Sequence, residues 1–301
     1  MQWTRAATPQ PDRRRQYTIA MAITLSGNLV LAISKGVVAY LSHSVALYAD
    51  AANSTSDVLY SLLLIAGLIV AQRPPDLSHP QGHNRFEPLI GLAVSLSMAF
   101  AGYEAARASL VRFLSGGLAV NPGLPSLVLL ASGLIKLGMF WVIRGIALKV
   151  NSPALGAAAR DNLSDVLTSA AAFVGAFGSD LINPLLDPIA GFAVAAWIFR
   201  SAYRAGRENI NYLTGAGASP ALRDRIAEIA AGTPGVSEVH HIMTEYVGST
   251  LVIDIHINVD GNISLYQAHA IADRVSERLE SLPDVDRAYV HIEPIGWEGP
   301  R

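Results

Sequence analysis

Ala46-Leu47-Tyr48-Ala49-Asp50-Ala51-Ala52-Asn53-Ser54-Thr55-Ser56-Asp57-Val58-Leu59-Tyr60-Ser61 is echoed further along the chain by Ala154-Leu155-Gly156-Ala157-Ala158-Ala159-Arg160-Asp161-Asn162-Leu163-Ser164-Asp165-Val166-Leu167-Thr168-Ser169. The shared Ser-Asp-Val-Leu, together with the matches at Ala46/Ala154, Leu47/Leu155, Ala49/Ala157 and Ser61/Ser169, marks a duplicated helix. Positions four apart lie one above the other on a helix face. Each copy therefore offers two oxygen-bearing side chains as a vertical pair, Asn53 with Asp57 and Asp161 with Asp165. Two such helices side by side present four oxygen ligands around one point, which is the arrangement a cation requires.

The setting of the repeat is a membrane. Hydrophobic residues make up 51% of the 301-residue chain and charged ones 15%, and apolar runs of roughly 20 residues, long enough to cross a bilayer, recur through its first two thirds. The periodicity predicts six spans over residues 17–41, 45–71, 88–113, 125–149, 153–178 and 184–206. The first run is too long for a signal-peptide core and has no clear cleavage site, so it is expected to be retained. Residues 1–16 form an N-terminal tail and residues 17–208 the transmembrane domain.

Arginine and lysine collect on one side of these spans: Arg13 to Arg15, Arg73 and Arg85, Lys149 and Arg160, then Arg200, Arg204 and Arg207. That side is expected to be cytoplasmic and to carry both termini, as in a bacterial inner membrane protein. Arg107 and Arg112 run against the bias.

From residue 209 to 301 the composition changes to 13 acidic against 6 basic side chains, where the preceding part has 11 against 16. A soluble acidic domain is expected there. Pro220–Ala231 reads as a helix, Val236–Tyr246 and Leu251–Val259 as alternating strands joined at Gly248, Ser264–Leu282 as a helix and Val285–Glu293 as a strand. The order αββαβ predicts a two-layer domain with helices on one face of a small sheet.

A carboxylate inside an apolar span is costly and is seldom kept without a partner or a task, so Asp57, Asp161 and Asp165 are the leading candidates for a site. The plainer alternative is that they pair with Lys35 and Lys136 or serve as packing glue, and the duplicated spacing argues against it. Lys35 and Lys136 themselves read as snorkelling or acid-neutralising groups. Asp50 is either an entrance group or an interfacial charge, and Asn28 reads as a bond between helices. Two further clusters stand outside the spans. Asp76, His79 and His83 put one carboxylate and two imidazoles into the short connection between spans two and three. The tail holds His240, His241, His256, His269 and His291, five of the eight histidines, with Glu293 close by. Imidazole with carboxylate suits zinc and the later transition metals.

These residues resemble the cation diffusion facilitator family from about Tyr17 to Pro294. The resemblance is carried by the duplicated Ser-Asp-Val-Leu helix, by His79-Pro-Gln-Gly-His83-Asn-Arg-Phe-Glu87, and by Pro234-Gly-Val, Gln267-Ala-His269 and Val290-His291-Ile-Glu293-Pro294. It implies a homodimeric, proton-coupled exporter of divalent metal, with six transmembrane helices and a ferredoxin-like cytoplasmic domain. It further implies a transport site at Asn53, Asp57, Asp161 and Asp165, a loop site at Asp76, His79 and His83, and a tail site at His240, His256, His269, His291 and Glu293. Arg85 stands where a lysine is frequent in the family and keeps the charge.

Zinc-exporting members typically have a histidine in at least one of the two positions held here by Asn53 and Asp161. The all-oxygen set is similar to that of the manganese-exporting members. Manganese and iron(II) accept such surroundings, whereas zinc prefers nitrogen or sulfur. Manganese is therefore expected first and iron second, with a zinc or cobalt exporter of the same family as the alternative. From a different class, a metal-sensing membrane receptor without transport is the rival, and it leaves the paired carboxylates unexplained. No cofactor, no enzymatic activity and no nucleic-acid partner is expected, because the chain lacks cysteine, a nucleophile motif and a phosphate-binding loop.

Overall fold

A computed structural model of the chain describes residues 11–42, 45–116, 124–181 and 183–296, except the side chains of 11, 42, 45–50, 52, 53, 124–126, 129, 172–181 and 187. The chain divides into two compact units, Met1–Ile210 and Asn211–Arg301.

The first unit is built from long helices: α1 (Pro11–Ser42), α2 (Val45–Ala71), α3 (Phe86–Leu114), α4 (Leu124–Val150), α5 (Pro153–Leu181) and most of α6 (Leu186–Leu213). Helix packing runs from α1 to α2, α2 to α3, α3 to α5, α5 to α4 and α4 back to α1, which closes a ring. The polarity of the helices is the reverse of a water-soluble bundle. Leu29, Val30, Ile33 and Val37 of α1, Leu59, Leu62 and Leu63 of α2, and Leu134, Trp141 and Leu148 of α4 are exposed, while Asn28, Lys35, Ser54, Ser61, Lys136, Asn162 and Ser164 are buried. Backbone and polar groups turned inward with an apolar jacket is what a bilayer demands. Among the described residues, four helices are long and apolar enough to span a membrane, through Asp12–Leu41, Ser54–Ala71, Phe86–Leu114 and Leu130–Val150. The expectation of six is met in helix number and not in this measure. Helix α5 is diluted by Arg160, Asp161, Asn162 and Asp165, and α6 by Arg200, Arg204, Arg207 and Glu208.

Glycines set the closest approaches between helices, as small residues do in membrane bundles. A Cβ on Gly91 of α3 would collide with Asn209 of α6, one on Gly191 of α6 with Ser109 of α3, and one on Gly27 of α1 with Met139 of α4. The turn from α4 to α5 is equally tight: Asn151 takes φ of 47°, and Ser152 Oγ accepts from the Leu155 amide at 3.1 Å, capping α5 with Pro153 in its first turn. Near the predicted cytoplasmic end, the buried Tyr17 hydroxyl of α1 donates to the buried Glu87 carboxylate of α3, with Oε1 at 3.1 Å and Oε2 at 3.0 Å. Tyr17→Phe removes this donor from a buried acid and is expected to cost about 1–3 kcal/mol, read as a lower thermal midpoint in detergent; an unchanged midpoint would show that Glu87 gains nothing from Tyr17.

The second unit contains α7 (Pro220–Ala231), β1 (Glu238–Val247), β2 (Thr250–Val259), α8 (Leu265–Glu280) and β3 (Val285–Pro294), within two residues of the predicted boundaries. Ser219 caps α7 through the Leu222 amide, and Ser264 with Gln267 forms a capping box at α8. The sheet has order β1-β2-β3, with β1 antiparallel and β3 parallel to β2. Gly248, at φ of 69°, supplies the left-handed residue that a two-residue hairpin between Val247 and Thr250 needs. Leu251, Ile253, Ile255, Ile257 and Val259 of β2 are buried with Ile226 of α7 and Ile271, Val275 and Leu279 of α8. The alternate positions of the same strand, Asp254, His256 and Asn258, therefore face away from the helices.

Candidate functional site

A buried lysine and two partly buried carboxylates meet between α2, α4 and α5. The Lys136 ammonium of α4 lies 2.8 Å from Asp57 Oδ2 of α2 and 2.7 Å from Asp165 Oδ2 of α5. The contact to Asp57 is a hydrogen bond, whereas Asp165 Oδ2 is shielded from solvent and off the hydrogen-bonding line. Asp161, one turn before Asp165, lies within charge–charge range of all three. The duplicated carboxylates thus converge, and a single cation bridges the two copies.

The surroundings hold this geometry. Asn28 of α1 donates to Ser61 Oγ at 2.8 Å and to the Asp57 carbonyl at 3.4 Å, and Ser61 in turn donates to that carbonyl at 2.7 Å. Asn28 was expected to bond between helices, and it does so in the turn that carries Asp57. On α5, Ser164 and Thr168 bond back to carbonyls four residues earlier, and Arg160 pairs with Glu208 of α6 at 2.6 Å. Asn53 lies on α2 one turn before Asp57, and its side chain, like that of Asp50, is outside the described residues.

The sequence reading set pairing with lysine against an ion site, and the structure contains the pairing. An ammonium in mid-span needs an anionic partner, and Lys136 falls in the middle of an otherwise apolar run.

The loop residues also come together. Asp76, His79 and His83 bring three ligand atoms within 4.8 Å of one another, and the two rings lie 4.5 Å apart between centroids. Asp76 Oδ1 accepts from the amides of Ser78 at 2.9 Å and His79 at 2.7 Å. The His79 amide, more than any other group, holds the Asp76 carboxyl below its usual range, which keeps it available as an anionic ligand.

In the tail, Glu293 is the centre of a histidine cluster. Its carboxylate lies 3.1 Å from His240 Nε2, 3.6 Å from His256 Nδ1 and 3.5 Å from His291 Nε2. His256 is ringed by His240, His241 and His291 at centroid separations of 5.5, 4.8 and 4.7 Å. A bulge makes this possible. The pairing of β1 with β2 passes from Val239 to His241 and skips His240, so two consecutive histidines turn to the open face of the sheet. His269, the remaining residue of the expected tail site, sits on α8, across the sheet from His256, and pairs with Asp273 at 3.7 Å while largely exposed, apart from the residues gathered round Glu293 within this chain. His241 and Asn258, whose Oδ1 lies 2.9 Å from His240 Nδ1, are the members that the sequence reading did not assign.

Comparison with known proteins agrees with both units. Residues 21–214 match the cation efflux transmembrane domain and residues 218–295 the cation efflux protein cytoplasmic domain. The chain belongs to the cation diffusion facilitator family. Similar family members include the uncharacterized transporter MJ0449 of Methanocaldococcus jannaschii, 33% identical over 93% of this chain and 99% of that protein. The manganese efflux system protein MneS of Bacillus subtilis is 29% identical over 91% and 94%, and the magnetosome protein MamM of Magnetospirillum gryphiswaldense is 31% identical over 86% and 85%. A cation diffusion facilitator is a membrane transporter of metal cations rather than an enzyme.

Proposed function

We propose that this chain exports manganese(II), with iron(II) as second cargo, from the cytoplasm in exchange for protons, through a site formed by Asn53, Asp57, Asp161 and Asp165. The observation that carries this reading is the meeting of Asp57 and Asp165, from the two copies of the repeat, on one cationic group inside the membrane unit. Oxygen-only surroundings favour manganese over zinc, and the likeness to MneS points the same way. All six helices span the bilayer, with the polar faces of α5 and α6 turned to the bundle, and both termini are cytoplasmic in a bacterial plasma membrane.

The divalent ion enters from the cytoplasm and replaces water with carboxylate oxygens, whose charge offsets its own in surroundings of low dielectric. Rocking of the helices then opens the site outward, where protons compete for the same oxygens and the ion leaves. The two tails form a homodimer, in keeping with the cytoplasmic-domain family they match, and the open-face histidines take a regulatory metal. The ligand atoms of His240, His256 and Glu293 lie within 4.8 Å of one another and those of Asp76, His79 and His83 do likewise, a fit to one imidazole-rich ion in each.

The test is flux into proteoliposomes at buffered free metal, with a pH-sensitive dye inside. Manganese is expected to move with opposite proton movement, iron more slowly, and zinc and cobalt least. Binding without any metal or proton movement would replace the exporter with a metal-sensing receptor.

A further inference from the structure

Lys136 is almost wholly buried in the middle of a membrane helix, and its ammonium occupies the position between Asp57 and Asp165 that a bridging metal ion would take. Lys35 of α1 is also buried, and its charge acts on Asp57. Three carboxylates against two ammonium groups leave one net negative charge at the centre of the bundle; a divalent ion turns that into one net positive charge. Like charges a few ångströms apart in low dielectric repel strongly. The ion and the Lys136 ammonium therefore do not share the two carboxylates. Lysine is suited to yielding: its charge rides on a flexible four-carbon stem and pairs as a point charge, without the locked fork of arginine. The off-line contact with Asp165 leaves that oxygen free to take another ligand first.

We propose that Lys136 is a tethered competing cation of the transport site, which an arriving divalent ion displaces and which returns to the carboxylates when the ion leaves. This rests on the transport site proposed above. Its role is twofold. It sets a threshold, since the metal must outcompete a cation already present. It also supplies internal counter-charge on the return step, so that the carboxylates not occupied by returning protons are not bare in the membrane, which would be costly there.

The test is manganese flux through the full-length protein in proteoliposomes as a function of free metal, for Lys136→Met, Lys136→Gln and Lys136→Arg beside Asp57→Asn. Removing the charge is expected to lower the half-saturating manganese concentration by about tenfold, equivalent to roughly 1.4 kcal/mol, and to lower the maximal rate, because the empty carrier returns slowly. Lys136→Arg keeps the charge and is expected to half-saturate at or above the native concentration. A merely structural ion pair would lower the rate without tightening the response. Half-saturation within twofold of native in both neutral variants overturns the proposal, as does failure of both to assemble, which would make the ammonium a permanent brace. If instead Asp57→Asn transports like the native protein, the transport-site assignment itself fails.

Discussion

Asp57→Ala and Asp165→Ala are each expected to reduce manganese flux in proteoliposomes at least about a hundredfold, while the variant proteins still insert and dimerise. Each substitution removes a ligand from the proposed ion site and also strips the Lys136 ammonium of one of two carboxylates at 2.8 and 2.7 Å. Loss of a metal ligand and its supporting contacts together exceeds the ten- to hundredfold cost typical of supporting contacts alone. Because a buried ion pair broken on one side also destabilises, the isosteric Asp57→Asn and Asp165→Asn serve as companions. Flux retained in both alanine variants would remove the ion from this place in the bundle.

The second large effect concerns the tail. Glu293→Ala is expected to weaken the tightest zinc-binding step of the full-length protein by about a hundredfold in calorimetry. Three histidines approach that one carboxylate, from β1, β2 and β3, so its loss removes the anionic ligand and the group that gathers the imidazoles. His269→Ala, on the opposite side of the sheet, is the control and leaves the same step in place. An unchanged tight step in Glu293→Ala, or its loss in His269→Ala, would move the tail site elsewhere.

What was readable in the sequence follows from how each feature is encoded. Helix α2 begins and ends where its apolar run does, at Val45 and Ala71, because a bilayer-length run writes its own limits into composition. The tail elements were readable from the alternation in β2 and from the helical and turn patterns on either side of it, which are local signals. The partner of Lys136 was not local: its two carboxylates come from helices before and after it, and only the ring of packed helices brings them to one nitrogen. The lysine pairing is present, and it does not exclude an ion site built from the same carboxylates. Of the tail histidines, His240, His256 and His291 gather round Glu293 within one chain while His269 stands apart. Spacing along the chain gave no account of which side of the sheet α8 would cover, and strict alternation would have sent His240 and His241 to opposite faces had the bulge at Val239–His241 not intervened.

That bulge separates two properties which a regular strand ties together. In unbroken alternation every added donor on the outer face lengthens the strand by two residues and brings one more side chain to the inner layer. One unpaired residue adds a donor and nothing else. The density of nitrogen on the outer surface of the tail can therefore change by single insertions while the volume of its oily layer stays constant, and tuning of the proposed metal binding is uncoupled from the stability of the domain.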